Sequence, residues 1–191
     1  MALRQIVEKY YPEYAGWFDY PAEKTVAFNK AKEEWGVLGN FAATPLVVDG
    51  VPFDCAEKLF QVMKFSDAVA RKAVYSRKGM PIKWTAKAYE RDGARRPDWG
   101  SILVDALKFC LVTKYAQCEA FRSELARTGD RFIVETAHRR PDTYSAMLSA
   151  DGVTWTGGNL MGRLLMELRD TGKLDYRLPE DALRFRDLLE P

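Results

Sequence analysis

The 191 residues are 47% hydrophobic, 13% aromatic and 29% charged, a mixture that suits an ordinary folded domain with a buried core and excludes a disordered or fibrous chain. Twenty-nine basic against 27 acidic residues leave a net charge of +2, too small for a global field that draws in polyanions, so a phosphate would have to be held by a local pocket. One histidine and three cysteines without a Cys-x-x-Cys pair exclude a zinc site and a disulfide framework, and no run approaches the ~18 apolar residues of a membrane span.

From the N-terminus, residues 3–11 read as a helix stopped by Pro12, and Glu8-Lys9 follow too soon for the apolar core of a signal peptide, so a cytoplasmic protein is expected. The aromatic stretch Tyr14, Trp17, Phe18, Tyr20 is expected to pack on the main body, and Lys24–Phe28 to form a short strand. Leu46-Val47-Val48 and Val51-Pro52-Phe53 flank Asp49-Gly50, a turn whose positive φ angles make a hairpin over 46–53. Asp54 is placed to cap a helix over 55–73. Further helices are expected over Ser101–Ala116 and Glu119–Arg127, the latter closed by Gly129. Arg131–Thr136 reads as a strand, residues 137–158 as a long loop, Asn159–Thr171 as a helix ending at Gly172, and Pro179–Leu189 as a last short helix. Helices dominate over a few short strands, which makes the chain an α+β single domain.

The helix after the hairpin carries the most informative pattern. At roughly 100° per residue, Glu57, Gln61, Lys64 and Ala68 fall within about 60° of one another. Phe60 and Phe65 border this stripe, while Leu59, Val62 and Met63 cover the opposite face. Two readings are open. Either the stripe is the solvated side of an amphipathic helix, or it is a cleft wall in which desolvation lowers the Lys64 pKa and makes its amine a nucleophile, with Glu57 in reach for proton transfer. Trp99 is a core or lid aromatic or else a stacking wall for a base. Gly157-Gly158-Asn159 before a helix is a structural cap or a phosphate-binding set of N–H groups. Asp142 is a turn former or a second carboxylate beside the cleft, and His138-Arg139-Arg140 a solvated basic patch or a phosphate clamp.

Taken together, these pieces resemble the NADAR family. The resemblance is carried by Trp35-Gly36, Asn40-Phe41, Pro45, Asp49-Gly50, Phe53 and the signature Glu57…Gln61…Lys64-Phe65. It continues through Ala86-Lys87, Arg96-Pro97-Asp98-Trp99, Ala106-Leu107-Lys108-Phe109, Leu125, Thr128-Gly129-Asp130 and Ile133-Val134-Glu135. It closes with Gly158-Asn159-Leu160, Gly162, Leu165-Met166 and Arg169. It implies a family domain over 28–172, an N-terminal extension over 1–27 packed on it, and a C-terminal helical extension over 173–191. Two departures stand out: Gly39 where relatives carry serine, and Asp142-Thr143-Tyr144-Ser145-Ala146, which keeps the family's aspartate and lacks its Trp-Gly. Tyr144 or Trp155 is then expected to take the missing ring's place.

What the resemblance implies is an N-glycosidase acting on a ribose C1′–nitrogen bond. The substrate is an ADP-ribosylated base, such as guanine in DNA or RNA, or a phosphoribosylamino-pyrimidine, with no cofactor and no membrane partner. Lys64 attacks C1′ and forms a Schiff base, with Glu57 and Asp142 moving protons. Asn40, Phe41, Gln61, Lys87, Trp99, Tyr144, Gly158, Asn159 and Arg169 are the expected ligand contacts: backbone N–H groups near Asn159 and a cation, Lys87 or Arg169, for phosphate, and Trp99 or Phe41 for the base. The alternatives are a module that binds ADP-ribose or NAD without turnover, favoured by the altered Asp142 loop, and a nucleic-acid-binding or partner protein using Arg71-Lys72, Arg95-Arg96 and Arg139-Arg140.

Overall fold

In the computed structural model, which describes residues 2–137 and 139–190, the elements run α1 (Leu3–Tyr10), β1 (Phe18–Pro21), β2 (Thr25–Phe28), β3 (Leu46–Val48), β4 (Val51–Phe53), α2 (Ala56–Val62), α3 (Ala68–Tyr75), α4 (Pro81–Arg91), α5 (Trp99–Gln117), α6 (Glu119–Arg127), β5 (Phe132–Glu135), β6 (Ala146–Leu148), β7 (Thr154–Gly157) and α7 (Leu160–Thr171). The fold is α+β with helices predominating. The chain divides into two compact units, one made of the residues up to Ala42 together with Glu119–Leu174, the other of Ala43–Cys118 together with the chain from Asp175 on.

In the first unit β2 and β5 pair in parallel, Val26 opposite Ile133, and α7 packs against β5. Glycine at 162 makes that approach possible, because a Cβ there would sit 2.0 Å from the Ile133 carbonyl oxygen. A second, antiparallel sheet has the order β1-β7-β6, with Phe18 and Ala146 both opposite Gly157. Tyr20, Val134 and Ala146 form its buried centre, with Trp155 and Met166 packed against them. The segment expected as a loop over 137–158 therefore contains a hairpin. Its connection, residues 149–153, contains Asp151-Gly152, with Gly152 at φ 77° and Asp151 accepting a hydrogen bond from the Ser149 hydroxyl; Asp151, unlike Asp49, does not take a positive φ. Phe18–Pro21 of the N-terminal extension is a strand of this sheet, beyond the general packing expected of it.

The second unit gathers α2 to α5 around the β3–β4 hairpin, where Asp49 and Gly50 both have positive φ, 51° and 76°. The helix expected over 55–73 is two helices. Met63, Lys64 and Phe65 form a tight turn, with Lys64 N–H donating to Gln61 C=O and Phe65 N–H to Val62 C=O. Phe65 then bridges Arg95, and Arg96 N–H donates to the Lys64 carbonyl at 2.9 Å, so the turn is held by the α4–α5 connection. A fresh cap starts α3, since Asp67 accepts from Ala70 N–H. Asp54 does not cap α2; its carboxylate accepts from Lys58 Nζ at 3.0 Å, and Cys55 is the N-cap residue. The expected last helix is two 3₁₀ turns, Glu180–Leu183 and Arg186–Leu188. They are fixed by Phe185 packing edge-on to Phe53 and donating its N–H to Asp49, and by ion pairs of Arg71 with Asp187 and Arg96 with Asp181.

Candidate functional site

The break between α2 and α3 is what makes a site. Because the chain turns at Met63, Lys64 leaves the helical stripe and its side chain, only 14% exposed, is held by α4. Lys64 Nζ donates to Glu90 Oε2 at 3.1 Å. The ammonium also lies 5.9 Å from the Phe60 ring centroid and 6.0 Å from that of Trp99, two rings packed on each other at 5.3 Å. Burial lowers the Lys64 pKa below the ordinary lysine value, against the opposing pull of Glu90 and Glu57.

Glu57 sits beside this slot without pairing with Lys64. Its Oε1 accepts from Gln61 Nε2 at 2.8 Å and lies 3.8 Å from Lys83 Nζ. The carboxylate next to Lys64 is thus Glu90, a residue missed in the sequence because it lies 26 positions away on a helix that the periodicity reading passed over. The signal was present: Pro81 at the first helical position, then Ile82, Ala86 and Tyr89 on one face. Lys83 and Glu90 are seven residues apart on α4, so both side chains project from one side of it, and Lys87 lies on the same side, exposed. Phe65, read as a border of the stripe, is buried and packs edge-on against Tyr89. Trp99 is 2% exposed, a wall of the slot through its contact with Lys64. One unit therefore gathers Glu57, Gln61, Lys64 and Trp99, with Lys87 further along α4.

The remaining expected contacts belong to the other unit, and most are spent on structure. Asn159, fully buried with φ 47°, accepts from Glu135 N–H at 3.2 Å and donates to Ile133 C=O at 2.8 Å. The N–H groups of Gly158, Leu160 and Met161 donate to the carbonyls of Asp142, Thr143 and Tyr144. Those three amides have no hydrogen left for a phosphate, so the expected anchor near Asn159 does not rest on them. Asp142 Oδ1 accepts from Tyr144 N–H, Ser145 N–H and the Ser145 hydroxyl, the turn-forming role. Arg169 donates to the Arg131 carbonyl, to Thr128 Oγ1 and to Asp170, tying α7 to the end of α6. Tyr144 and Phe41 are half-buried, and Asn40 keeps a buried Oδ1 that has no hydrogen-bond partner. His138 lies outside the described residues.

Comparison with known proteins places this geometry in a family context. A model of the NADAR domain matches residues 27–171. The N-glycosidase YbiA of Escherichia coli is 31% identical over 145 residues, covering 76% of this chain and 86% of the relative. A riboflavin biosynthesis protein of Vibrio vulnificus is 26% identical over 166 residues, which are 86% of this chain and 42% of the relative. The NMR structure of the Escherichia coli protein YbiA aligns with a TM-score of 0.60 at 28% identity, covering 77% of this chain and 83% of that one.

Proposed function

The chain belongs to the NADAR domain family, and on that premise we propose that it is an N-glycosidase that cleaves a ribose C1′–nitrogen bond with Lys64 as nucleophile. The substrate is an ADP-ribosylated base or a phosphoribosylamino-pyrimidine, the second in keeping with the name of the Vibrio relative. The observation that carries this reading is the Lys64 amine, enclosed by Phe60 and Trp99 and hydrogen-bonded to Glu90 at 3.1 Å. Among the described side chains of this unit it combines a nucleophilic atom with a lowered pKa and a proton acceptor in contact.

The steps balance as follows. The ammonium of Lys64 gives a proton to Glu90, and the neutral amine attacks C1′ while the C1′–N bond breaks. The departing nitrogen takes up the proton that Glu90 took from Lys64, relayed through Glu57 with Lys83 as its cationic neighbour. The attached ammonium passes its second proton to the ring oxygen as that oxygen leaves C1′, and a protonated C1′=Nζ imine with an opened ribose results. Water then adds to the imine, releasing the sugar and restoring Lys64. The net reaction consumes one water and yields free sugar and free base. Gln61 contributes by holding Glu57. Because attack needs an uncharged amine, activity falls as pH drops through the Lys64 pKa, and burial moves that fall to lower pH than an exposed lysine would give.

The test is product analysis by mass spectrometry after incubation with ADP-ribosylated guanosine and, in parallel, with a phosphoribosylamino-pyrimidine. Release of the base from either is expected, with Lys64→Ala slower by at least about 10³-fold. Unimpaired turnover by Lys64→Ala would remove the covalent route. Tight binding of the ligand by the wild type without any product would make the protein a binding module instead.

A further inference from the structure

Arg71, Lys72 and Arg96, basic residues of the nucleic-acid alternative, are turned onto the C-terminal segment of their own chain. That segment, from Asp175 on, lies past the residues that match the family domain and belongs to the same compact unit as Lys64. Its regular structure is limited to the 3₁₀ turns Glu180–Leu183 and Arg186–Leu188, while Ala182, Phe185 and Leu188 are buried. Turns this short order little chain by themselves, so the segment takes its place from what it touches.

What it touches lies on both flanks of the Lys64 turn. On one flank is Arg71, in the first turn of α3, whose side chain is only 8% exposed. Its guanidinium donates to Asp187 Oδ2 at 3.1 Å and to the Arg184 carbonyl, and it lies 5.5 Å from the centroid of the Phe185 ring. The next residue, Lys72, donates to the Glu190 carbonyl at 2.9 Å. On the other flank is Arg96, 5% exposed, which forks onto Asp98 at 2.6 and 2.9 Å and reaches Asp181 Oδ2 at 3.1 Å. The backbone N–H of the same Arg96 donates to the Lys64 carbonyl at 2.9 Å. One residue thus joins a carboxylate of the C-terminal segment to the backbone of the proposed nucleophile. The turn's own bonds are long by comparison. Lys64 N–H to Gln61 C=O spans 3.4 Å and Phe65 N–H to Val62 C=O 3.2 Å, against about 2.9 Å for an ordinary bond, so the turn is fixed mainly from outside.

We propose that the C-terminal segment is a clamp on the Lys64 turn, with Asp181 and Asp187 as positioning residues that fix where the amine stands against Glu90. The amine sits at the end of a long side chain, and its 3.1 Å contact with Glu90 Oε2 is lost by a shift of about 1 Å. Removing the Asp187 charge leaves the nine-tenths-buried Arg71 guanidinium without its counter-ion and frees that end of the segment. Asp181 is 59% exposed, so its pair with Arg96 is partly screened and acts together with the Asp187 pair. Asp98 still holds Arg96 when Asp181 is changed, so that change acts on position more than on folding. The effect on turnover rests on the N-glycosidase reading; the hold on the turn stands on the contacts alone.

The experiment compares the full wild-type chain with Asp181→Asn, Asp187→Asn, the double Asn variant and Asp181→Glu. Arg184→Gln, which breaks only the exposed ion pair with Glu180, is the control. At a temperature where circular dichroism shows each protein folded, hydrogen exchange is read by mass spectrometry on peptides covering residues 61–68 and 92–99, and turnover is split into kcat and KM. The double variant is expected to exchange at least about fivefold faster in both peptides and to lose about tenfold in kcat, with KM within about twofold of wild type. Each single Asn variant should show a smaller loss of the same kind, while Asp181→Glu and Arg184→Gln stay close to wild type. Faster exchange confined to residues 175–190, or unchanged kcat in the double variant despite faster exchange at the turn, would overturn the clamp. So would a lower urea midpoint with both turn exchange and kcat unmoved. If the double variant does not fold, the single variants are read in the same way. A wild type that releases no base from either substrate refutes the glycosidase reading, and exchange at the turn still decides whether the segment holds it.

Discussion

Asn159 and Lys64 are both polar side chains withdrawn from solvent, and their surroundings treat them differently. Around Asn159 the polar groups find protein partners: its side-chain amide bridges Glu135 and Ile133, and the N–H groups of Gly158, Leu160 and Met161 close onto Asp142, Thr143 and Tyr144. The result ties the start of α7 to β5 and to the 142–144 turn, and it satisfies backbone groups that burial would otherwise leave unpaired. Around Lys64, among the described residues, a single carboxylate oxygen accepts from the amine, and the faces of Phe60 and Trp99 nearby cannot accept its remaining protons as strongly. Hydrogen-bond saturation makes a joint; an amine with one acceptor among rings is the setting the proposed nucleophile requires.

Substitutions at the two places separate these roles. Asn159→Ala strands a buried N–H and a buried C=O and puts alanine at φ 47°, which together should cost about 3 kcal/mol or more, read as a lower urea midpoint. A variant of wild-type stability with a raised KM would make Asn159 a ligand contact and break the comparison. Glu90→Gln should act on the other side. Removing the negative charge that favours the Lys64 ammonium lowers the lysine pKa further, so the acid limb of kcat/KM moves to lower pH while the plateau falls with the loss of the proton acceptor. An unmoved limb would mean that it reports another group. The smallest effect belongs to Asp142→Asn, which keeps an Oδ1 acceptor for the Ser145 and Tyr144 donors. Turnover within about threefold of wild type is expected, against the roughly 10²-fold loss or more that a proton-transfer role entails.

What the sequence made legible follows the range of the forces involved. The hairpin at 46–53, the strands expected over 24–28 and 131–136, and the helices expected from Ser101, Glu119 and Asn159 rest on local turn chemistry and periodicity, and they stand within two residues of where those signals put them. Asp151-Gly152 carried the same turn signal as Asp49-Gly50, yet the surrounding strands are short and one begins at Ala146 in a stretch rich in turn residues. The interruption at Lys64 was not legible, because both flanks have helical spacing and the break is imposed from outside by Arg95 and Arg96. For the same reason the sequence stripe placed Lys64 and Glu57 together but could not supply Glu90, whose nearness is a product of how α4 packs on α2. The motif order that resembles the NADAR family compensated in part. It picked out the lysine although the helix expected to carry it ends two residues earlier, at Val62.

The most direct test of the central claim is borohydride reduction of the enzyme during turnover, followed by peptide mapping. Reduction should fix one opened sugar per protein as a stable amine on the peptide containing Lys64, with Lys83 and Lys87 unmodified and no adduct formed by Lys64→Ala. Active enzyme that yields no adduct, or an adduct mapped to Lys83 or Lys87, would contradict the assignment of the nucleophile.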